Sequence, residues 1–364
     1  TNKKGEVKAW PFFYIKKKIM KRSKAKSINA RAANSLVEDL QQYFVTHLDE
    51  VVDTTDGQSS FQPVEWLRDQ GLHGGGIRYV ASNEVFFNRA SVNVSQIHYD
   101  DDASKNLASA TALSTIIHPM NPFAPSMHMH ISWTEMKNGK GYWRMMADLN
   151  PAIEDADATA LFTECLQNAA PEQYELAAEQ GDRYFNIPAL GRHRGVSHFY
   201  LEEYCTDKQQ ADFDLAKMFG EAVIDCYVSI FNKANKTHLN PTKDDFAKQQ
   251  AYHSLYLFQV LTLDRGTTSG LLVHDQNDLG IMGSLPAIVD KALLSSWLEK
   301  MLSPQDKLLK AIVNTLSDEM PCMVDDKTKL ALASAVREHY KSNPKALNMQ
   351  AKGNTVPPTV ENHR

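Results

Sequence analysis

Residues 74–143 hold four short β-rich segments with no helix-length pattern between them, and this block restricts the possible folds more than any other feature of the chain. The segments are 77–81, 91–98, 115–118 and 127–135, and Gly74, Gly75 and Gly76 introduce the first. The last alternates cleanly. His128, His130 and Ser132 fall on one face of a strand, and Met129, Ile131 and Trp133 fall on the other.

Helical patterns lie outside this block. Leu36, Leu40, Phe44 and Leu48 recur at helical spacing and predict a helix over 28–50. The polar stretch 53–62 predicts a loop. Residues 156–180, 208–236, 242–254 and 287–302 also read as helices, whereas 195–203 and 255–263 read as strands. Clustered strands flanked by helices, without regular βα alternation, predict an α+β fold with an antiparallel sheet. The expected organisation is a basic arm over 1–27, a main domain over 28–302, and a helical extension over 303–364. Its polar tail from Lys345 is expected to be disordered.

Composition narrows the function classes. With 43% hydrophobic and 23% charged residues the chain can build a core. A net charge of −5 gives no general attraction to nucleic acid, and no apolar run approaches the ~20 residues of a membrane helix. Cys165, Cys205, Cys226 and Cys322 form no CxxC pair and read as reduced, mostly buried thiols. Lys3, Lys4, Lys16, Lys17, Lys18, Lys21, Arg22, Lys24 and Lys26 make the start of the chain basic. The expectation is a fold-neutral arm on a cytoplasmic protein, with a trimmed organelle-targeting segment as the alternative.

Several motifs occur in one order. They are Gly74-Gly75-Gly76-Ile77, then Val92-Asn93-Val94-Ser95-Gln96-Ile97-His98, then His118-Pro119-Met120-Asn121-Pro122-Phe123-Ala124-Pro125-Ser126-Met127-His128. Asp148-Leu149-Asn150-Pro151, Arg194-Gly195-Val196, Asp264-Arg265-Gly266-Thr267 and Ser284-Leu285-Pro286 follow. Across residues 60–290 this order resembles the oxygen-dependent coproporphyrinogen oxidases. The resemblance implies a large antiparallel sheet covered on both faces by helices, and a homodimer. It also implies oxidative decarboxylation of two propionates of coproporphyrinogen III to vinyl groups, giving protoporphyrinogen IX, with O2 as co-substrate and no organic cofactor.

The same resemblance assigns roles. Asp148 matches the family's aspartate, and a carboxylate in a partly desolvated cleft can accept a hydrogen bond from a pyrrole N–H and act as general base. Read without the resemblance, it is a turn or helix-capping aspartate before Leu-Asn-Pro. His128 matches a proposed acid–base histidine; the alternative is a histidine bonded within a sheet. The candidate ligand-holding set is Asn93, Ser95, His130, Ser132, Arg144, Arg194 and Arg265. His98, His128 and His130 form a candidate divalent-metal set, because histidines at i and i+2 share a strand face.

The departures from the family fall around the expected site. The family's Asn-x-Arg reads His130-Ile131-Ser132, and its Trp-Phe-Gly-Gly-Gly reads Tyr142-Trp143-Arg144-Met145-Met146-Ala147. Its upstream His-Arg pair reads Ala189-Leu190, and its Arg-Tyr-Val-Glu-Phe-Asn strand reads Leu255-Tyr256-Leu257-Phe258-Gln259-Val260. Its late Arg-x-Glu-Ser reads Asn277-Asp278-Leu279-Gly280. Several guanidinium groups are missing, and each shielded Arg–carboxylate contact is worth about 1.5–3 kcal/mol. Arg78, Arg144, Arg192, Arg194 and Arg265 are the arginines able to compensate. Three readings follow: a coproporphyrinogen oxidase; a paralogue using O2 or a His-bound metal on another substrate; and a noncatalytic tetrapyrrole-binding or assembly subunit.

Overall fold

The computed structural model describes residues 21–52, 59–81, 83–355 and 359–363. The lysines of residues 1–20 and most of the loop expected over 53–62 lie outside the described residues.

Seven strands form one antiparallel sheet in chain order. They are β1 (Phe61–Leu67), β2 (Gly74–Ala81), β3 (Phe87–His98), β4 (Leu107–Pro119), β5 (Ser126–Met136), β6 (Gly141–Asn150) and β7 (Ser197–Tyr204). The strand-rich block of the sequence is thus the meander β2–β6. The β6–β7 connection carries α2 (Ala156–Ala169) and α3 (Tyr174–Phe185), so the expected 156–180 helix is broken near residue 171. Asp155 caps α2 by accepting from the Ala158 amide.

The glycine run has a steric cause. Gly74 and Gly75 sit at φ +92° and +147°, and a Cβ on Gly74, Gly75 or Gly76 would run into the carbonyl oxygens of Gln96, Trp66 and Val94. Strand β2 is therefore pressed between β1 and β3 closely enough that only glycine fits.

Strand alternation divides the sheet into two unlike faces. Met127, Met129, Ile131 and Trp133 of β5 join Met145, Ala147 and Leu149 of β6 in a core with Val92, Val94 and Leu113. Helices α1 (Ile28–Val51), α2 and α4 (Gln209–Thr237) cover this face. Leu36, Leu40, Phe44 and Leu48 of α1 are all buried, and the Ser27 side chain accepts from the Ala30 amide at its start. Residues before α1 are tied to the sheet: the Ser23 hydroxyl donates to the Gly71 carbonyl (2.6 Å), and the Ala25 amide donates to Gln96 Oε1 (2.9 Å).

The second face is covered by α5 (Lys243–Thr262), α6 (Arg265–Val273), α9 (Gln305–Thr315) and α10 (Asp326–Ser342), with the short α7 (Asp278–Ile281) and α8 (Lys291–Ser296) between them. Here a sequence expectation fails. Residues 255–263 read as a strand but form the second half of α5 and its C-cap. A continuous apolar run is compatible with a buried strand or a buried helix, and tertiary surroundings decide between them. Thr242 and Asp245 start α5 with a reciprocal capping box. Every residue from Tyr252 to Thr262 is buried, so no polar stripe remains to reveal a helical period.

Two further expectations need correcting. Only Lys291–Ser296 of the 287–302 stretch is α-helical; Ile288–Val289 pairs instead with Cys322–Met323. The chain beyond Lys345 is packed rather than loose. Gln350 Nε2 donates to Thr268 Oγ1 (2.6 Å), and the Ala351 amide donates to the Leu263 carbonyl (3.0 Å). The last described turn, α11 (Thr359–Asn362), buries Val360 and Asn362. Helices α9 and α10 share one core with α5 through Leu308, Ile312, Leu332 and Val336. No helix among the described residues is long and apolar enough to cross a membrane.

Replacing Gly75 by Ala adds both a clash and a strained φ, and is expected to destabilise the fold by about 2–3 kcal/mol. Urea denaturation measures it, and a midpoint equal to the wild type would contradict the packing described for β2.

Candidate active site

The second face of the sheet is the floor of a cavity of about 310 Å³ between the sheet and the α6–α7 region. Strand register sets out the floor in rows. One row runs Asn93, Ser114, His130, Met146, Tyr200; the next runs Ser95, Ala112, Ser132, Arg144. Small side chains on β3 and β4 leave the floor open, and larger ones on β5–β7 carry its chemistry. Arg265, Gly270, Asn277 and Gly280 come from above, and Thr359, Asn362 and His363 close one side.

A third row joins Ser91, Ile116, His128, Asp148 and His198. His128 Nδ1 is 2.9 Å from Asp148 Oδ1. Arg194 Nη2 donates to Asp148 Oδ2 at 2.8 Å, and Asn150 Nδ2 donates to the same oxygen at 2.6 Å. The carboxylate is fully buried. Burial alone would raise its pKa, but the Arg194 charge and the His128 hydrogen bond outweigh it and hold the group well below the usual carboxylate range. An ionised Asp148 makes Nδ1 of His128 a donor, which leaves Nε2 as the nitrogen toward the cavity. Arg194 Nη2, 3.4 Å from the same Nδ1, is then a neighbouring donor and not a bonded partner.

Arg194 is held as firmly as the acid. Its Nη1 donates to Gln259 Oε1 at 2.6 Å, and its guanidinium lies between the rings of Phe185 and Tyr256, 4.5 and 4.9 Å from their centroids. His198 Nε2 is 2.7 Å from the Arg194 carbonyl and fixes the backbone there.

A second polar chain runs along the β6–β7 side. Arg144 Nη2 pairs with Glu202 Oε1 at 2.5 Å, and the Tyr200 hydroxyl donates to Glu202 Oε2. Tyr200 stacks on Tyr184, whose hydroxyl donates to Asp264 Oδ1 at 2.7 Å. His130 sits between the two chains. Burial, then the charge of Arg144, push its pKa well down, so it is a neutral imidazole.

A family model described as Coproporphyrinogen III oxidase matches residues 32–315. The chain belongs to the coproporphyrinogen III oxidase family. It is similar to the mitochondrial oxygen-dependent coproporphyrinogen-III oxidase of Rattus norvegicus, 29% identical over 281 residues that cover 70% of this chain and 61% of that protein. The Homo sapiens protein of the same description is 26% identical over 281 residues, covering 70% and 60%. The oxygen-dependent coproporphyrinogen-III oxidase of Prochlorococcus marinus (strain NATL1A) is 26% identical over 330 residues, covering 79% of this chain and 89% of its own. The chain therefore spans about three fifths of the length of the mammalian relatives it matches.

Within this coproporphyrinogen oxidase frame, Asn93, Ser95, His128, His130, Ser132, Arg144, Arg194 and Arg265 all line the cavity. Asp148 stands behind His128 and does not reach the ligand space, so it cannot itself meet a pyrrole N–H. The expectation that Arg144 and Arg194 hold ligand carboxylates also meets an obstacle, because Glu202 and Asp148 already occupy them. Arg265 makes no ion pair among the described residues and is the freer cation. His98 is separated from His128 and His130: it lies on the other face of the sheet, beside Ser23 and Asp100. The three cannot share a cation, and no group of three metal-ligating side chains occurs among the described residues. Tyr184, Tyr200, Glu202 and Gln259 were not among the candidate site residues, although Tyr200 and Glu202 fall within 199–203, which follows the Arg194-Gly195-Val196 motif in the resemblance. Tyr200 and Glu202 share the face parity of His198 on β7, a signal present in the sequence; Gln259 had none, because its segment was read as a strand.

The low pKa of Asp148 links it to stability. A depressed folded-state value contributes stability above the unfolded carboxylate range, ~4, and that contribution is lost as pH falls through the lower folded value. Asp148→Asn is expected to cost about 3–5 kcal/mol at pH 7, because Arg194 is left buried without its counterion. The cost should shrink at pH 3 and below. Urea denaturation at pH 7 and at acid pH tests this, and an undiminished loss in acid contradicts the linkage.

Proposed function

We propose that this chain is an oxygen-dependent oxidative decarboxylase that converts two propionates of coproporphyrinogen III to vinyl groups, yielding protoporphyrinogen IX. The observation that carries the reading is His128. Its imidazole is oriented by a buried, ionised Asp148 and faces a floor wide enough for a macrocycle. From β3 to β6 the floor spans three strand spacings, ~14 Å.

In this reading the substrate lies over the small side chains of β3 and β4 with one pyrrole N–H at His128 Nε2. The imidazole accepts that proton, and Asp148 stabilises the imidazolium that forms without taking the proton itself. Arg194 keeps Asp148 ionised. Loss of the proton enriches the ring in electrons, so that O2 can oxidise the adjacent side chain. For each propionate, CH2CH2COO⁻ plus O2 and H⁺ gives CH=CH2, CO2 and H2O2, which balances. Neutral His130 and the hydroxyl of Ser132 offer uncharged hydrogen-bond partners to the ring, and Arg265 offers a cation to a propionate. No step passes through an organic cofactor or a metal. We take the active form to be a homodimer, which light scattering of the purified chain tests.

A second reading has one observation in its favour. Arg144 and Arg194 are already neutralised, which leaves fewer cations for a tetracarboxylate and suits a tetrapyrrole with fewer acidic arms, bound with or without turnover.

Anaerobically prepared coproporphyrinogen III, exposed to air with the protein, should yield protoporphyrinogen IX. His128→Gln should lower kcat by about 10²–10⁴-fold with the fold intact. Absence of product with the wild type removes the oxidase reading, and a wild-type rate in the variant removes His128 from the chemistry.

A further inference from the structure

Two of the four cysteines face each other among the helices that cover the side of the sheet away from the cavity. Cys165 stands on α2 and Cys226 on α4. Cys165 Sγ donates to the Ala222 carbonyl at 3.3 Å, and Cys226 Sγ lies 3.8 Å from the Leu161 carbonyl as its donor. Ala222 is one helical turn before Cys226, and Leu161 is one turn before Cys165. The helices therefore run antiparallel here, and the Lys233–Asp157 ion pair at 4.0 Å continues the same register. A helical side chain leans toward the turn before its own Cα, so each sulfur lies over the place where the other thiol projects. These reciprocal contacts set the two sulfurs side by side. The Cys226 proton has two acceptors there, the Leu161 carbonyl and the Cys165 sulfur.

The two thiols are not equivalent. The hydrogen bond from Cys226 lowers the Cys165 pKa below the usual thiol value, against the opposing effects of burial and of the Asp225 charge. Cys226 is pushed up, first by that same bond to Cys165 and then by burial. Cys165 is thus the sulfur that ionises, and Cys226 keeps its proton; the thiolate is the nucleophilic form. Both side chains are half-buried and not sealed in the core, so a molecule of the size of water reaches them from the surface. Cys205 is exposed and Cys322 is buried.

We propose that Cys165 and Cys226 are a peroxide-reactive dithiol site, oxidised by H2O2 to a disulfide that joins α2 to α4. The Cys165 thiolate attacks one oxygen of H2O2. The O–O bond breaks, a sulfenic acid forms on Cys165, and the departing hydroxide takes up the proton that Cys165 released and leaves as water. The Cys226 sulfur then attacks the sulfenic sulfur. The S–S bond forms, the S–O bond breaks, and the hydroxyl leaves as a second water with the Cys226 proton. Two thiols and one H2O2 give one disulfide and two waters. Peroxide is the sole reactant required, so the site stands apart from the oxidase reading, although the decarboxylation written above releases the same oxidant. The disulfide closes a loop that carries α3, Arg194 and β7 with Tyr200 and Glu202. A cross-link between residues so far apart in the chain restricts the unfolded state, so oxidation secures the segment that supplies Arg194 to Asp148.

The test treats the reduced full chain with H2O2, blocks the remaining thiols with a maleimide in denaturant, and maps the peptides by mass spectrometry. The count of free thiols should fall from four to two, with Cys165 and Cys226 in one linked pair of peptides that dithiothreitol separates. Four free thiols after peroxide, reaction of Cys205 alone, or a sulfenic acid captured by dimedone in the wild type without a linked pair each overturn the proposal. Cys226→Ser should leave a sulfenic acid on Cys165 that dimedone captures. Cys165→Ser should slow the oxidation of Cys226 by about 10-fold or more, and an equal rate overturns the choice of Cys165 as nucleophile. Cys205→Ser should form the linked pair as the wild type does, and failure to do so overturns the pairing. The melting temperature reads the cross-link: peroxide should raise it by about 3 °C or more in the wild type and leave it unchanged in Cys226→Ser. No rise in a chain shown to be linked overturns the claim that the disulfide secures the segment. Turnover of coproporphyrinogen III is measured in parallel. A linked pair in a chain without turnover keeps this inference and removes the oxidase reading, and turnover without a linked pair does the reverse.

Discussion

A carboxylate without access to water lies near the centre of the sheet, and the geometry of the cavity depends on it. Removing Asp148 from water costs several kcal/mol unless its oxygens are paired. Arg194, Asn150 and His128 supply those partners, from the segment before β7, from β6 itself and from β5. Gln259 of α5 then holds Arg194. One buried acid thus couples three parts of the sheet to the helix above it. It also settles the orientation of His128, because a carboxylate that stays ionised admits only an N–H at Nδ1.

The rest of the site follows from how charge is divided. Arg144 and Arg194, the arginines nearest the floor, are bound to Glu202 and Asp148. They shape the site and orient its imidazoles, and little of their charge is left for a ligand. Arg265 of α6, which also lines the cavity, makes no ion pair among the described residues.

Much of the fold was legible, and the errors have physical causes. The alternation of 127–135 identified β5 and its two faces correctly, because a strand face is a local property of period two. The spacing of Leu36, Leu40, Phe44 and Leu48 identified α1 for the same reason, since one side of that helix meets solvent. Residues 255–263 were misread because α5 is buried on every side there, and a helix without a polar stripe has no period to detect. The tail beyond Lys345 was misread because its anchoring groups, Gln350 and Asn362, are polar, and composition alone treats polar residues as solvent-facing.

The site shows the same division. Its motif residues could be named in advance, and most of them do line one cavity. The sequence by itself determined the strand faces, the glycines of β2 and the membership of the family, since each depends on residue type at short spacing. Only the tertiary structure decided that Asp148 is hidden behind His128, that His98 lies on the opposite face, and that Arg194 and Arg144 are taken up by Asp148 and Glu202. Burial and ion pairing depend on which elements meet across the molecule: Arg194 is 46 residues from Asp148, and α10 begins more than 200 residues after β2.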